Sequence, residues 1–97
     1  LAIQEESKNN PRDFNIRAIY PNPNNGYCNI DLDISNTGFY EISIYGLQGR
    51  LIKIIHHGIL NSGHYTFTLR ENIPSGIYFI HGQTNDVSVL KKMIRLK

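Results

Sequence analysis

Tryptophan is absent from this 97-residue chain, cysteine and methionine occur once each, and no long apolar run interrupts it. A single cysteine excludes an internal disulfide, so Cys28 says nothing about compartment. A bilayer helix needs roughly 20 consecutive apolar residues, and no stretch approaches that length, so membrane insertion is not expected. Charge of one sign is also scarce. The net charge is +2, with the basic residues scattered except near the C-terminus. That balance is too weak for a nucleic-acid partner. No nucleophile motif, phosphate loop or base-stacking platform stands out, and no cofactor is expected. The chain opens at Leu1 without a methionine or a signal peptide, and is expected to be a fragment of a longer protein.

What is present is enough apolar sequence for one core. Hydrophobic residues make up 40% of the chain and charged residues 19%, and the length leaves room for a single domain. Residues 4–15 are polar, carry Pro11 and show no apolar period, so residues 1–15 read as a linker and residues 16–97 as the domain. From Ile16 the pattern changes to short β-branched and aromatic runs, at 16–20, 27–34, 39–45, 50–57, 64–69, 77–83 and 87–96. Glycine and asparagine between the runs tolerate the positive φ that tight reversals need. No stretch offers ten residues of helical period free of glycine or proline. The expected fold is all-β: a seven-stranded antiparallel β-sandwich, immunoglobulin-like.

Alternation assigns the faces. Ile30, Leu32 and Ile34 share one side of their strand and Asn29, Asp31 and Asp33 the other. Ile42 and Ile44 oppose Glu41 and Ser43, and Tyr65, Phe67 and Leu69 oppose Thr66 and Thr68. Two runs break the rule. Residues 50–55 and 77–80 are apolar on both parities, which fits a central strand covered on its outer side, or a partner surface. The last run is mixed as well, so a bulge must shift its register or both of its faces must find cover.

Several motifs carry turn chemistry. Pro21 and Pro23 flank Asn22, end the first strand and push the residues before them into extended conformation, and Gly26 helps turn the chain back. Pro74 and Gly76 fit the second and fourth positions of a type I turn. The ordered set is Tyr20-Pro21-Asn22-Pro23, Ile42-Ser43-Ile44-Tyr45-Gly46-Leu47-Gln48-Gly49-Arg50, Gly63-His64-Tyr65, Ile73-Pro74-Ser75-Gly76-Ile77-Tyr78-Phe79 and Lys91-Lys92-Met93-Ile94. In order and spacing this resembles the type A C-terminal sorting domain of the type IX secretion system of Bacteroidota, from about Ile16 to Lys97. The family usually carries an aspartate where this chain has Gly46. The resemblance implies a delivery signal on an upstream cargo domain, recognised at the outer membrane by the translocon and its shuttle proteins. It also implies removal by a sortase within residues 4–15, and a destination beyond the periplasm at the outer membrane, cell surface or extracellular space.

Two places stand out as recognition elements. Gly49 and Arg50 could offer a guanidinium to a carboxylate or carbonyl, although a turn glycine followed by a packed arginine stem explains them slightly better. The final strand, with Lys91, Lys92, Met93, Ile94, Arg95, Leu96 and Lys97, could add to a partner's sheet or simply close the domain behind a basic edge. Neither a catalytic nor a metal site is expected. His56 and His57 point to opposite faces, and His64 and His81 lie on other strands without ligand spacing. Asp31 and Asp33, with Glu41 on the next strand, read as a solvated face rather than a catalytic pair. The competing expectation is a carbohydrate-binding or adhesion sandwich, with Tyr27, Tyr40, Tyr45 and Tyr78 as stacking surfaces.

Overall fold

A computed structural model describes residues 14–85 and 87–96. Seven strands, all antiparallel to their neighbours, form two sheets: β1 (Phe14–Tyr20), β2 (Cys28–Ile34), β3 (Gly38–Gly46), β4 (Leu51–Leu60), β5 (Gly63–Leu69), β6 (Gly76–Thr84) and β7 (Val87–Arg95). One sheet has the order β1-β2-β5 and the other β4-β3-β6-β7. Three hairpins, β1–β2, β3–β4 and β6–β7, stay within a sheet and the other three connections cross between sheets, an order compatible with an immunoglobulin-like sandwich.

The core follows from the alternation. Ile30, Leu32 and Ile34 of β2 face Tyr40, Ile42 and Ile44 of β3 and Ile80 of β6, all buried. The first strand starts at Phe14, ahead of the expected Ile16, because its ring is buried edge-on against Tyr40 at 5.3 Å between centroids. Gly82 makes that packing possible. A Cβ there would lie 2.5 Å from the Phe14 ring, closer than carbon atoms approach.

Where the pattern was mixed, the strands resolve it differently. β6 is central, as its apolar faces suggest. β4 is instead an edge strand, with two bulges that leave Ile52 and Ile55 unopposed and switch the parity of the run twice. Its consecutive apolar residues therefore reflect bulging, and Leu51, Ile52 and Ile54 remain exposed. β7 pairs with β6 in an unbroken register from Thr84↔Val87 to Gly76↔Arg95, so no bulge shifts it. One parity buries Val89, Met93 and Arg95, and the other leaves Leu90 and Ile94 half-buried and Ser88 and Lys92 exposed. Ser43 was expected on a wet face, yet it is fully buried and donates to Glu41 Oε2 at 3.2 Å.

The outer faces of the two sheets differ in kind. On the three-stranded sheet, Asp31 accepts from Tyr20 and Thr66, and Asp33 meets Arg17 and His64. This is the solvated face the sequence suggests. Glu41 does not join it: the chain crosses to the other sheet between β2 and β3, so Glu41 lies on the opposite side of the sandwich from Asp31 and Asp33. There it sits 3.8 Å from His57, while burial pushes the His81 imidazole below its ordinary range despite the Glu41 charge.

Candidate recognition site

Antiparallel pairing carries four of the five motifs to the same end of the sandwich, while Gly63-His64-Tyr65 begins β5 at the other end, beside Ile34. Tyr20 ends β1, Cys28 begins β2, Gly46 ends β3, Leu51 begins β4, Leu69 ends β5, Gly76 begins β6 and Arg95 ends β7. Register aligns them laterally, with Gly46 beside Tyr78 and Gly76 beside Arg95. Phe14, where the described chain begins, lies at the other end beside Ile34.

The proline motif does more than turn the chain. Residues 22–24 lie along the outer edge of β7 and act as a partial eighth strand. Asn22 receives the Ile94 amide on its side-chain oxygen at 2.9 Å and donates its amide to the Lys92 carbonyl at 3.0 Å. The Asn24 amide donates to the Ile94 carbonyl at 3.0 Å, and the Leu96 amide donates to the Asn24 carbonyl at 2.7 Å. The edge the sequence left open for a partner's sheet is thus occupied, over residues 92–96, by the chain itself.

Arg95 anchors this clamp. Its side chain is 0% exposed, unusual for arginine. The guanidinium donates from Nε to the Asn24 side-chain oxygen and from Nη1 to the Glu71 carbonyl at 2.9 Å. Arg95 Nη2 and the Asn24 side-chain Nδ2 have no hydrogen-bond partner among the described residues. Met93, also fully buried, meets the Cys28 thiol at 3.6 Å, and burial raises that thiol's pKa while the Arg95 charge opposes the rise.

The candidate residues therefore separate by role. Met93 and Arg95 turn inward and hold the end together, Ile94 is half-buried, and Lys91, Lys92 and Leu96 face solvent. Lys97 lies outside the described residues. Asn24 and Glu71, absent from the expected set, are the partners that fix Arg95. Asparagines at 22 and 24, on the same parity beside prolines, were the available signal for a side-chain clamp.

Gly49 and Arg50 belong to the reversal between β3 and β4. The Gly46 amide donates to the Arg50 carbonyl at 2.9 Å and the Gly49 amide to the Gly46 carbonyl at 3.0 Å. Gly49 has φ of 88°, a conformation that strains any side-chain-bearing residue. Across from it, residues 70–75 reach β6 through a bend at Ser75, with the Tyr78 hydroxyl donating to the Pro74 carbonyl at 2.6 Å. Between the two loops lies an open groove of about 340 Å³, lined by Gly46, Leu47, Arg50, Ile52, Gly76 and Ile77 among others.

The tyrosines do not assemble into a stacking platform. Tyr40 and Tyr78 are buried, Tyr27 lies under Arg70 at 5.4 Å, and Tyr45 packs edge-on against His81. Among the described residues no three histidine, cysteine or acidic groups gather as a metal site.

Four of the five motif segments of this small sandwich converge on one end, one of them pinning the last strand, and a fold alone does not say what such an end does. The family is definite. The family model of the secretion system C-terminal sorting domain matches residues 18–96, and the chain belongs to that family. Its members are sorting signals for type IX secretion and not a class of enzymes. No curated protein matches the chain.

Proposed function

We propose that the Arg95 end is the surface by which the type IX translocon and its shuttle proteins take up this domain, and that they read it folded. The observation that carries this reading is convergence: Asn22, Gly49, Arg50, Gly76 and Lys92 are far apart in sequence and lie at one end. A tail read as a linear peptide would need no such arrangement. The surface lies opposite Phe14, so a cargo attached ahead of residue 14 would not stand in the way. Residues ahead of Phe14 would act as the linker and the sandwich from Phe14 onward as the signal, with a sortase cutting in the linker before surface anchoring or release. Residues 14 and 15, at the edge of the expected cleavage stretch 4–15, belong to β1 and so to the signal.

The test is a periplasmic reporter fused ahead of the 97 residues, in strains with and without the translocon. Surface delivery in the first strain alone is expected. An Asn22→Ala/Asn24→Ala variant, which releases the last strand, should lower delivery at least tenfold while the protein accumulates in the periplasm. Delivery of that variant at the parental level, with protease sensitivity showing an opened end, would rule out recognition of the folded surface.

A further inference from the structure

Arg50 lines the groove, and among the described residues no carboxylate pairs with it. The ion pairs of the described residues are Arg17–Asp33, Lys53–Glu71, His57–Glu41 and His64–Asp33, and none includes Arg50. The loops of this end carry a single acid, Glu71, and its carboxylate accepts from Lys53 at 2.6 Å. Arg70, Lys92 and Arg95 lie at the same end, so its potential is positive.

The walls add a second requirement. Leu47 is 62% exposed, and Ile52 and Ile77 are each 37% exposed. They line the groove together with Gly46 and Gly76, which add no side chains of their own. A volume of about 340 Å³ is at the low end of the range for small-ligand sites, roughly 300–1,000 Å³. It suits one large apolar side chain and its neighbours. The bulges at Ile52 and Ile55 keep β4 from pairing along its length, so an occupant is held by the groove rather than by extending the sheet.

We infer that the groove binds an extended protein segment in which a carboxylate stands next to a large apolar side chain, the carboxylate meeting Arg50 and the apolar group filling the space between Leu47, Ile52 and Ile77. As the docking element of a translocon component, this inference rests on the function proposed above; as a binding site, it stands on its own geometry. The guanidinium offers two parallel donors to a carboxylate, which sets orientation as well as attraction.

The experiment titrates the ¹⁵N-labelled 97-residue protein with a blocked Gly-Leu-Glu-Phe-Gly peptide, with the same peptide carrying glutamine or lysine in place of glutamate, and with phosphatidylglycerol vesicles. The glutamate peptide should shift the amides of Gly46, Gly49, Gly76 and Ile77, and the glutamine peptide should bind about tenfold more weakly. Arg50→Gln should remove that difference. Gly46→Asp should weaken the glutamate peptide, because a Cβ at Gly46 meets only ordinary contacts and the new carboxylate would compete for Arg50. Equal binding of the glutamate and lysine peptides, shifts elsewhere on the protein, or binding to vesicles alone would each overturn the inference. The reporter separates the two ideas. Failed delivery of the unaltered domain counts against the proposed function, whereas full delivery of Arg50→Glu counts only against the groove as the translocon's contact.

Discussion

The two ends of the sandwich are closed by different means. At the Phe14 end two ties are local, the Tyr40 hydroxyl 2.6 Å from the Asn36 carbonyl and the Tyr65 hydroxyl 2.8 Å from the Asn61 carbonyl, each four residues back. Longer ones, Ser62 to Thr37 over 25 residues and Thr84 to the Phe39 carbonyl over 45, are isolated hydrogen bonds. At the Arg95 end the bond from Arg95 to Asn24 spans 71 residues, and the bonds between Asn22 and residues 92 and 94 span 70 and 72. A local tie fails alone. A long-range clamp holds the β1–β2 loop, the β5–β6 loop and the last strand together, so its loss opens all three. A recognition surface built that way exists only when the whole domain has folded.

The largest test of this contrast is Arg95→Ala. It removes a buried side chain and leaves the Asn24 oxygen and the Glu71 carbonyl without their donors. The expected loss is about 3 kcal/mol, from the cavity and the unpaired groups together. Arg95→Met should lose less, because the arginine itself leaves Nη2 unpartnered. Urea midpoints at constant slope measure both. A loss under about 1 kcal/mol for alanine would show that the clamp does not hold the end.

Next in size is a packing test at the Phe14 end. Gly82→Ala forces a methyl into the Phe14 ring, which Tyr40 holds from the other side, at an expected cost of about 2 kcal/mol. Adding Phe14→Leu should recover part of that cost. A double variant no better than the sum of the singles would mean that the clash is relieved elsewhere.

These two sites mark how far the sequence could be read. The strands of the β2 type are legible because a period of two survives folding, and Ile30, Leu32 and Ile34 land where alternation puts them. β4 is not legible in the same way. Its bulges at Ile52 and Ile55 arise from pairing with β3, and pairing is not a local property. Arg95 was misleading for a sharper reason. An arginine near a chain end reads as solvated, and only Asn24 and the Glu71 carbonyl, supplied from distant loops, make its burial affordable. The groove is the same case: Gly46-to-Arg50 and Pro74-Ser75-Gly76 each look like a turn, and the pairing of β3 with β6 is what sets them face to face.

The smallest expected effect completes the contrast. Ser62 donates its amide to the Thr37 hydroxyl at 3.2 Å, joining the β2–β3 and β4–β5 loops of the Phe14 end. Both residues are exposed, so water replaces the bond when it is lost. Thr37→Val should therefore cost no more than about 0.5 kcal/mol and leave reporter delivery unchanged. The geometry of the bond resembles those of the clamp, and the difference lies in solvent: water reaches Ser62, whereas nothing replaces a donor lost beside a fully buried Arg95. A Thr37→Val protein with a loss comparable to that of Arg95→Ala would show that the Phe14 end is also held as one unit, and the division between a replaceable end and a recognition end would fall with it.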